Sequence, residues 1–164
     1  MIRKATVRDV RSIHDLLKKH ADTGDLLARA ISELYDCLRD FNVCEAKDGR
    51  IIATCALHVC WDDLAEIRSL AVLEEHRGRG IGSRLLTAAV EDAKTLQVNR
   101  IFTLTYQENF FARHGFRVTD KSSLPQKIWA DCVKCVKFPD CDEIAMIRNG
   151  VDLGAKKPDI SSCT

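Results

Sequence analysis

The run Arg77-Gly78-Arg79-Gly80-Ile81-Gly82-Ser83 concentrates the most chemistry in this 164-residue chain. Its three glycines remove side chains where a backbone must approach something closely. The run lies between a strand-like segment ending Leu70-Ala71-Val72 and an amphipathic stretch. The first N–H groups of the helix that should follow, at the positive end of its dipole, form a ready anion site. Arg77 and Arg79 add charge-assisted donors suited to phosphate oxygens. Together these features predict a pyrophosphate cradle, with a tight turn carrying solvated arginines as the alternative. Spacing excludes two familiar phosphate motifs. A GxxxxGK[ST] loop needs a Lys that is absent, and a dinucleotide fingerprint needs an acidic residue near the end of the next strand, where Ile101–Thr105 has none.

The elements that must hold this loop follow from periodicity. Ile2–Ala5 reads as a short strand, and Thr6 with Asp9 three residues on reads as a capping box. Val7, Val10, Ile13, Leu16 and Leu17 then repeat at helical spacing. After Asp22-Thr23-Gly24-Asp25, a second helical stretch carries Leu27, Ile31, Leu34 and Leu38 on one face. Phe41–Ala46 and Arg50–Trp61 read as hairpin strands around Lys47-Asp48-Gly49, and Trp61-Asp62-Asp63 turns the chain into Leu64–Val72. Ser83–Leu96 reads as a helix with Leu85, Leu86, Ala89, Val90 and Ala93 as its apolar stripe. Arg100–Thr105 is a further strand, Glu108–His114 a short helix stopped by Gly115, and Phe116-Arg117-Val118 the start of another strand. Leu124–Cys141 has no period, and Glu143–Ile147 reads as the last strand. The expectation is a mixed α/β domain over residues 1–148 with a flexible tail at 149–164.

Composition narrows the partners. Apolar residues make up 46% and charged residues 30%, which excludes a disordered chain. A net charge of +1 and 6% aromatics supply neither a basic stripe nor stacking platforms, so no nucleic-acid partner is expected, nor an anionic membrane. No apolar run approaches the roughly 18–20 residues of a bilayer span. Met1-Ile2-Arg3-Lys4-Ala5-Thr6 enters patterned structure without a signal-peptide core, which predicts a cytoplasmic protein. Of eight cysteines, those at 37, 44, 55 and 60 lie in apolar segments and read as reduced core thiols. Cys132, Cys135 and Cys141 cluster, but structural zinc wants four ligands, and a fourth would have to be Cys163 or a distant His. Reduced or redox-sensitive thiols, and no metal, are the expectation.

Arg-x-x-Gly-x-Gly after Leu70-Ala71-Val72, then an amphipathic helix, resembles the acetyl-CoA motif of the GNAT N-acetyltransferase superfamily. Ile2-Arg3-Lys4-Ala5-Thr6 and Phe110-Phe111-Ala112-Arg113-His114-Gly115-Phe116 match its other landmarks, so the resemblance covers about residues 1–148. It implies a mixed, mostly antiparallel central sheet flanked by helices, with a splayed strand pair at the acetyl-CoA site. It also implies that Leu70, Ala71 and Val72 pair with the pantetheine arm and that Arg77 through Ser83 hold the pyrophosphate. Asn109 and Phe111 would complete the cofactor contacts, and a homodimer is a common form in the superfamily. The acceptor amine then attacks the thioester directly, leaving the enzyme to position, deprotonate and stabilise the oxyanion.

An ammonium must lose a proton before attack, and Glu66, on the strand that feeds the loop, stands about where the superfamily places such a base. A surface strand glutamate is the alternative. Ser69 is either a hydrogen-bond donor near the thioester or a small core residue. The Tyr that often protonates the departing thiolate is replaced here by Phe111. Tyr106 is the geometric substitute, against a reading as a buried ring with a satisfied hydroxyl. The thiolate of a thiol with a pKa of about 8.5 can also leave unprotonated.

Two segments narrow the resemblance further. Leu26-Leu27-Ala28-Arg29, Ser32-Glu33-Leu34-Tyr35 and Arg39-Asp40-Phe41 look like the second-helix region of short-form N-acetylglutamate synthases. Leu124-Pro125-Gln126-Lys127-Ile128-Trp129-Ala130-Asp131-Cys132-Val133-Lys134-Cys135, continuing to Met146, resembles their C-terminal signature. The implied acceptor is the α-amine of L-glutamate, at the first step of arginine biosynthesis, with glutamine, another small amine or a protein N-terminus as the alternative. A dicarboxylate needs cationic clamps. Arg29 is the first candidate by the match, and Arg68, Lys127, Lys134 and Lys137 follow.

Overall fold

The computed structural model describes residues 1–24, 26, 29–125 and 141–150. Seven strands form one sheet: β1 (Ile2–Lys4), β2 (Phe41–Glu45), β3 (Ile51–Trp61), β4 (Leu64–Val72), β5 (Arg100–Thr105), β6 (Arg117–Val118) and β7 (Ile144–Arg148). Their order across the sheet is β1-β2-β3-β4-β5-β7-β6. Only β4 and β5 run parallel, joined by the crossover helix α3 (Ile81–Thr95), as a parallel neighbour requires. All other pairs are antiparallel.

Helices cover both faces. Helix α1 (Val10–Asp22) lays Val10, Ile13, Leu16 and Leu17 against Phe41, Val43 and Ala56, together with Leu34 of α2 (Ile31–Asp36). On the other face, Leu85, Leu86, Ala89, Val90 and Ala93 of α3 pack on Cys55, Leu57, Ala65 and Ile67. Phe111 of α4 (Glu108–Ala112) joins that second cluster. A third cluster of Cys60, Leu64, Phe102, Leu124, Ala145 and Ile147 closes the β4–β5–β7 end. Each fully buried Leu, Ile or Phe contributes about 1.5–3 kcal/mol, so these clusters are what fixes the sheet's register.

The strands expected around the hairpin and at 64–72 and 100–105 form with bounds that match or nearly match. The helices differ more: the one expected to reach His114 ends at Ala112, and Val7 lies exposed in a tight turn ahead of α1. The second helix stops at Asp36 because Cys37 leaves helical geometry (φ −107°, ψ 21°), and Leu38–Asp40 makes a single tight turn into β2. Helix α3 starts at Ile81 rather than Ser83, because Gly80 at φ +73° turns the chain directly into the helix. Leu27, the segment 126–140 and the tail 151–164 lie outside the described residues. Among the described residues, no helix is long and apolar enough to cross a membrane.

Candidate active site

The site begins as a defect in the sheet. The parallel β4–β5 ladder runs from Leu64↔Arg100 to Glu66↔Phe102 and stops there. The Thr103 hydroxyl donates to the Ile67 carbonyl (3.0 Å) at the point of parting. Beyond it β5 continues to pair with β7, while β4 continues with β3, so the two strands splay. On the β3 side β4 also carries a bulge: Thr54 and Ala56 pair with Ala71 and Arg68, leaving one extra residue in β4. Ser69 sits in this bulge at φ +55°, a left-handed conformation that is strained for a non-glycine residue. It is 8% exposed. The bulge resets the alternation. Ala65 and Ile67 face α3, as do Leu70 and Val72, whereas Ala71 faces α1.

A cavity of about 680 Å³ fills the splay. Ile67 through Val72 line one wall, Thr103 through Gln107 the other, and Gly78, Gly80, Ile81, Gly82 and Ser83 the end. At that end Gly78 (φ +74°) and Gly80 (φ +73°) hold conformations that favour glycine, and an added Cβ at either would meet no protein atom within 4 Å. The first helical N–H bond closes from Arg84 to the Gly80 carbonyl (3.1 Å). The N–H groups of Ile81, Gly82 and Ser83 ahead of it have no intrahelical partner and point out of the helix start. Arg77 Nε donates to the Val72 carbonyl (3.3 Å), and Arg77 Nη2 lies 3.1 Å from Nε2 of buried His20 on α1. The remaining open edge of β4 is a template for an extended ligand. Strand edge, wedge and helix start fit an elongated molecule with an anionic end.

Past the bulge, the face of β4 away from α3 carries charge. Alternation puts Glu66 and Arg68 on that face, between Leu64 of the third cluster and Ala71 of the α1 cluster. Their partners on β3 are His58 and Ala56. His58 Nδ1 lies 2.6 Å from Asp40 Oδ2. Arg68 Nε lies 3.4 Å from Glu66 Oε2, an ion-pair distance without hydrogen-bond alignment. The Cys37 thiol is pushed up by burial and by Asp40, and pulled back by Arg29 and Arg68, so both guanidiniums act on one small region. Arg68 lines the cavity; Glu66 borders it through Arg68, and Arg29 lies beyond the lining.

Of the other expected cofactor residues, Leu70, Ala71, Val72, Arg77, Gly78, Gly80, Ile81, Gly82, Ser83 and Phe111 line the cavity, whereas exposed Arg79 and Asn109 do not. Phe111 is 4% exposed, packs edge-on against Phe110 and Phe116, and has no hydroxyl to donate a proton. Tyr106 lines the cavity but is not a buried ring. It is 40% exposed, and its hydroxyl donates to Asp142 Oδ1 (2.6 Å). Lys127, Lys134 and Lys137, with Cys132 and Cys135, lie outside the described residues. Among the described residues no group of His, Cys, Asp or Glu could hold a metal ion. Sequence reasoning missed His20, Arg113 and Glu143, which also line the cavity. His20 could have been found, since it extends the α1 stripe one step beyond Leu16 and Leu17.

Residues 10–117 match the acetyltransferase (GNAT) family, and the chain belongs to it. It is 41% identical over 147 residues to an uncharacterized N-acetyltransferase of Chlorobaculum tepidum, covering 90% of this chain and 94% of that one. It is 39% identical over 162 residues to the amino-acid acetyltransferase of Mycobacterium tuberculosis, covering 98% of this chain and 88% of that one. Among solved structures it resembles N-acetylglutamate synthase from Neisseria gonorrhoeae complexed with coenzyme A and N-acetyl-glutamate. The TM-score is 0.82 at 26% identity, covering 91% of this chain and 34% of that one.

Proposed function

We propose that this acetyltransferase moves the acetyl group of acetyl-CoA onto the α-amine of L-glutamate or a closely similar amino acid, the first step of arginine biosynthesis. Acetyl-CoA supplies an activated thioester and carries the departing thiolate. The N–H groups of Ile81, Gly82 and Ser83, with Arg77, hold its pyrophosphate, and the open edge of β4 at Leu70–Val72 takes the pantetheine arm. That arm's direction brings the thioester to the bulge at Ser69. There the strained backbone and the Ser69 side chain are positioned to donate to the oxyanion as the tetrahedral intermediate forms. Glu66 takes the ammonium proton, directly or through water, so that the amine lone pair can attack. The C–S bond then breaks, and the thiolate leaves either unprotonated or with a proton from Tyr106.

The observation that supports this reading best is the continuity of one cavity from the helix start at Gly80–Ser83 to the guanidinium of Arg68. An anion cradle at one end and a cation at the other suit a nucleotide-bearing donor and an acidic acceptor. The similarity to an amino-acid acetyltransferase and to an N-acetylglutamate synthase supports the same acceptor class. The test is CoA-thiol release from acetyl-CoA with a panel of amino acids, and glutamate should give the highest kcat/KM. Glu66→Gln should then lower kcat by about a hundredfold or more while leaving the acetyl-CoA KM nearly unchanged. A panel in which glutamate does not exceed background would end the glutamate assignment.

A further inference from the structure

Arg68 poses a physical problem. Its Nε and Nη2 are both buried and have no hydrogen-bond partner among the described residues. The side chain is 12% exposed, and its nearest anion, Glu66 Oε2, stands 3.4 Å from Nε without hydrogen-bond alignment. A guanidinium cannot shed its charge, so burying one without hydrogen bonds is costly and survives where something else rewards it. Nε–H and Nη2–H form one edge of the guanidinium plane, and that edge matches the two oxygens of a carboxylate. The cross-strand partner on β3 is Ala56, too small to cover it. Arg68 lines the cavity and is next in sequence to Ser69, the bulge residue.

We infer that Arg68 is the fork for the α-carboxylate of a free amino-acid acceptor. The inference rests on the amino-acid acetyltransferase reading above and adds which carboxylate is held, and by what. Position selects the α-carboxylate. The amine must reach the thioester beside Ser69, and the carboxylate one carbon from that amine is the one that reaches a residue adjacent to Ser69. The side-chain carboxylate lies two methylenes further from the amine and extends away from that edge. Such a fork admits free amino acids and rejects amines whose neighbouring carboxyl is amidated, protein N-termini included.

Steady-state kinetics of Arg68→Gln and Arg68→Lys test this with glutamate, glutamine and the α-amide of glutamate as acceptors. Both variants should raise the KM for glutamate and for glutamine by about a hundredfold, because each carries an α-carboxylate and Lys cannot reproduce the fork. The acetyl-CoA KM should not move. The α-amide should be a poor substrate of the unaltered enzyme and equally poor for both variants. Thermal shift with CoA alone confirms that the variants fold and bind the donor. An unchanged glutamate KM in both variants overturns the inference, as does a rise for glutamate without one for glutamine, which would assign Arg68 to the side-chain carboxylate. If the unaltered enzyme acetylates no amino acid, the underlying reading fails instead, so the two failures are distinguishable.

Discussion

Gly80→Ala isolates the role of the loop at the start of α3. Gly80 holds φ +73°, and a Cβ there would touch no protein atom within 4 Å. In the unliganded chain its cost is therefore conformational, about 1–2 kcal/mol for an alanine held left-handed. For a domain of this size that corresponds to a Tm lower by roughly 2–8 °C. Asn tolerates the left-handed region, so Gly80→Asn should lose distinctly less stability. Ligand binding separates a second effect. Acetyl-CoA at a hundred times its Kd stabilises the folded state by about 2.7 kcal/mol, read as a rise in Tm. If the backbone at Gly80 lies against the pyrophosphate, both variants should lose most of that rise at the same ligand concentration, Asn included, although it folds almost normally. Differential scanning calorimetry with and without acetyl-CoA gives both numbers. Two results would refute the reasoning: equal stability loss in Ala and Asn, which removes the strain argument, or a full acetyl-CoA shift in Gly80→Ala, which removes the close approach.

Two further outcomes are expected beside those given for Glu66 and Arg68. Asp9 accepts from Arg3 Nη1 and Nη2 (2.7 and 3.0 Å) and from the Thr6 N–H (2.7 Å), and the Arg3 bond above all lowers its pKa from 3.8 to about 2. Because the folded value is depressed, its stabilisation is present above the ordinary value and disappears as pH falls through about 2. Asp9→Asn should cost about 1–2 kcal/mol at pH 7, with partial exposure of Arg3 discounted, and should flatten urea-derived stability between pH 4 and 2; an unchanged slope there would remove Asp9 as the source. Tyr106→Phe should lower kcat by up to about a hundredfold with the acetyl-CoA KM kept, if its hydroxyl protonates the thiolate. An unchanged kcat would leave Tyr106 as an anchor for Asp142 alone.

Much of this protein is local and was readable along the chain. The turn at Arg77–Ser83 needs glycine wherever φ is positive, and Gly78 and Gly80 satisfy that need. Apolar, β-branched composition marked β5, whose centre is buried on both sides, and periodicity gave the stripe of α3 because one of its faces is covered. Those residues sufficed for an anion cradle after a strand. The tertiary structure alone decided which strand edge and cavity the cradle opens onto. The splay after Glu66↔Phe102 exists because β5 keeps its ladder with β7 and loses the one with β4, a competition between strands distant in sequence. The burial pattern hides the bulge at Ser69, since it alternates without a break from Ala65 to Val72 while the faces exchange across the extra residue. A shift of one residue exchanges the faces of a strand, so no spacing rule could bring Arg68 to the cavity, leave Glu66 at its border or pair Tyr106 with Asp142. Residue types and spacing determine backbone preference and the chemistry on offer; register, set by the packed clusters on both faces, determines which of those groups meet.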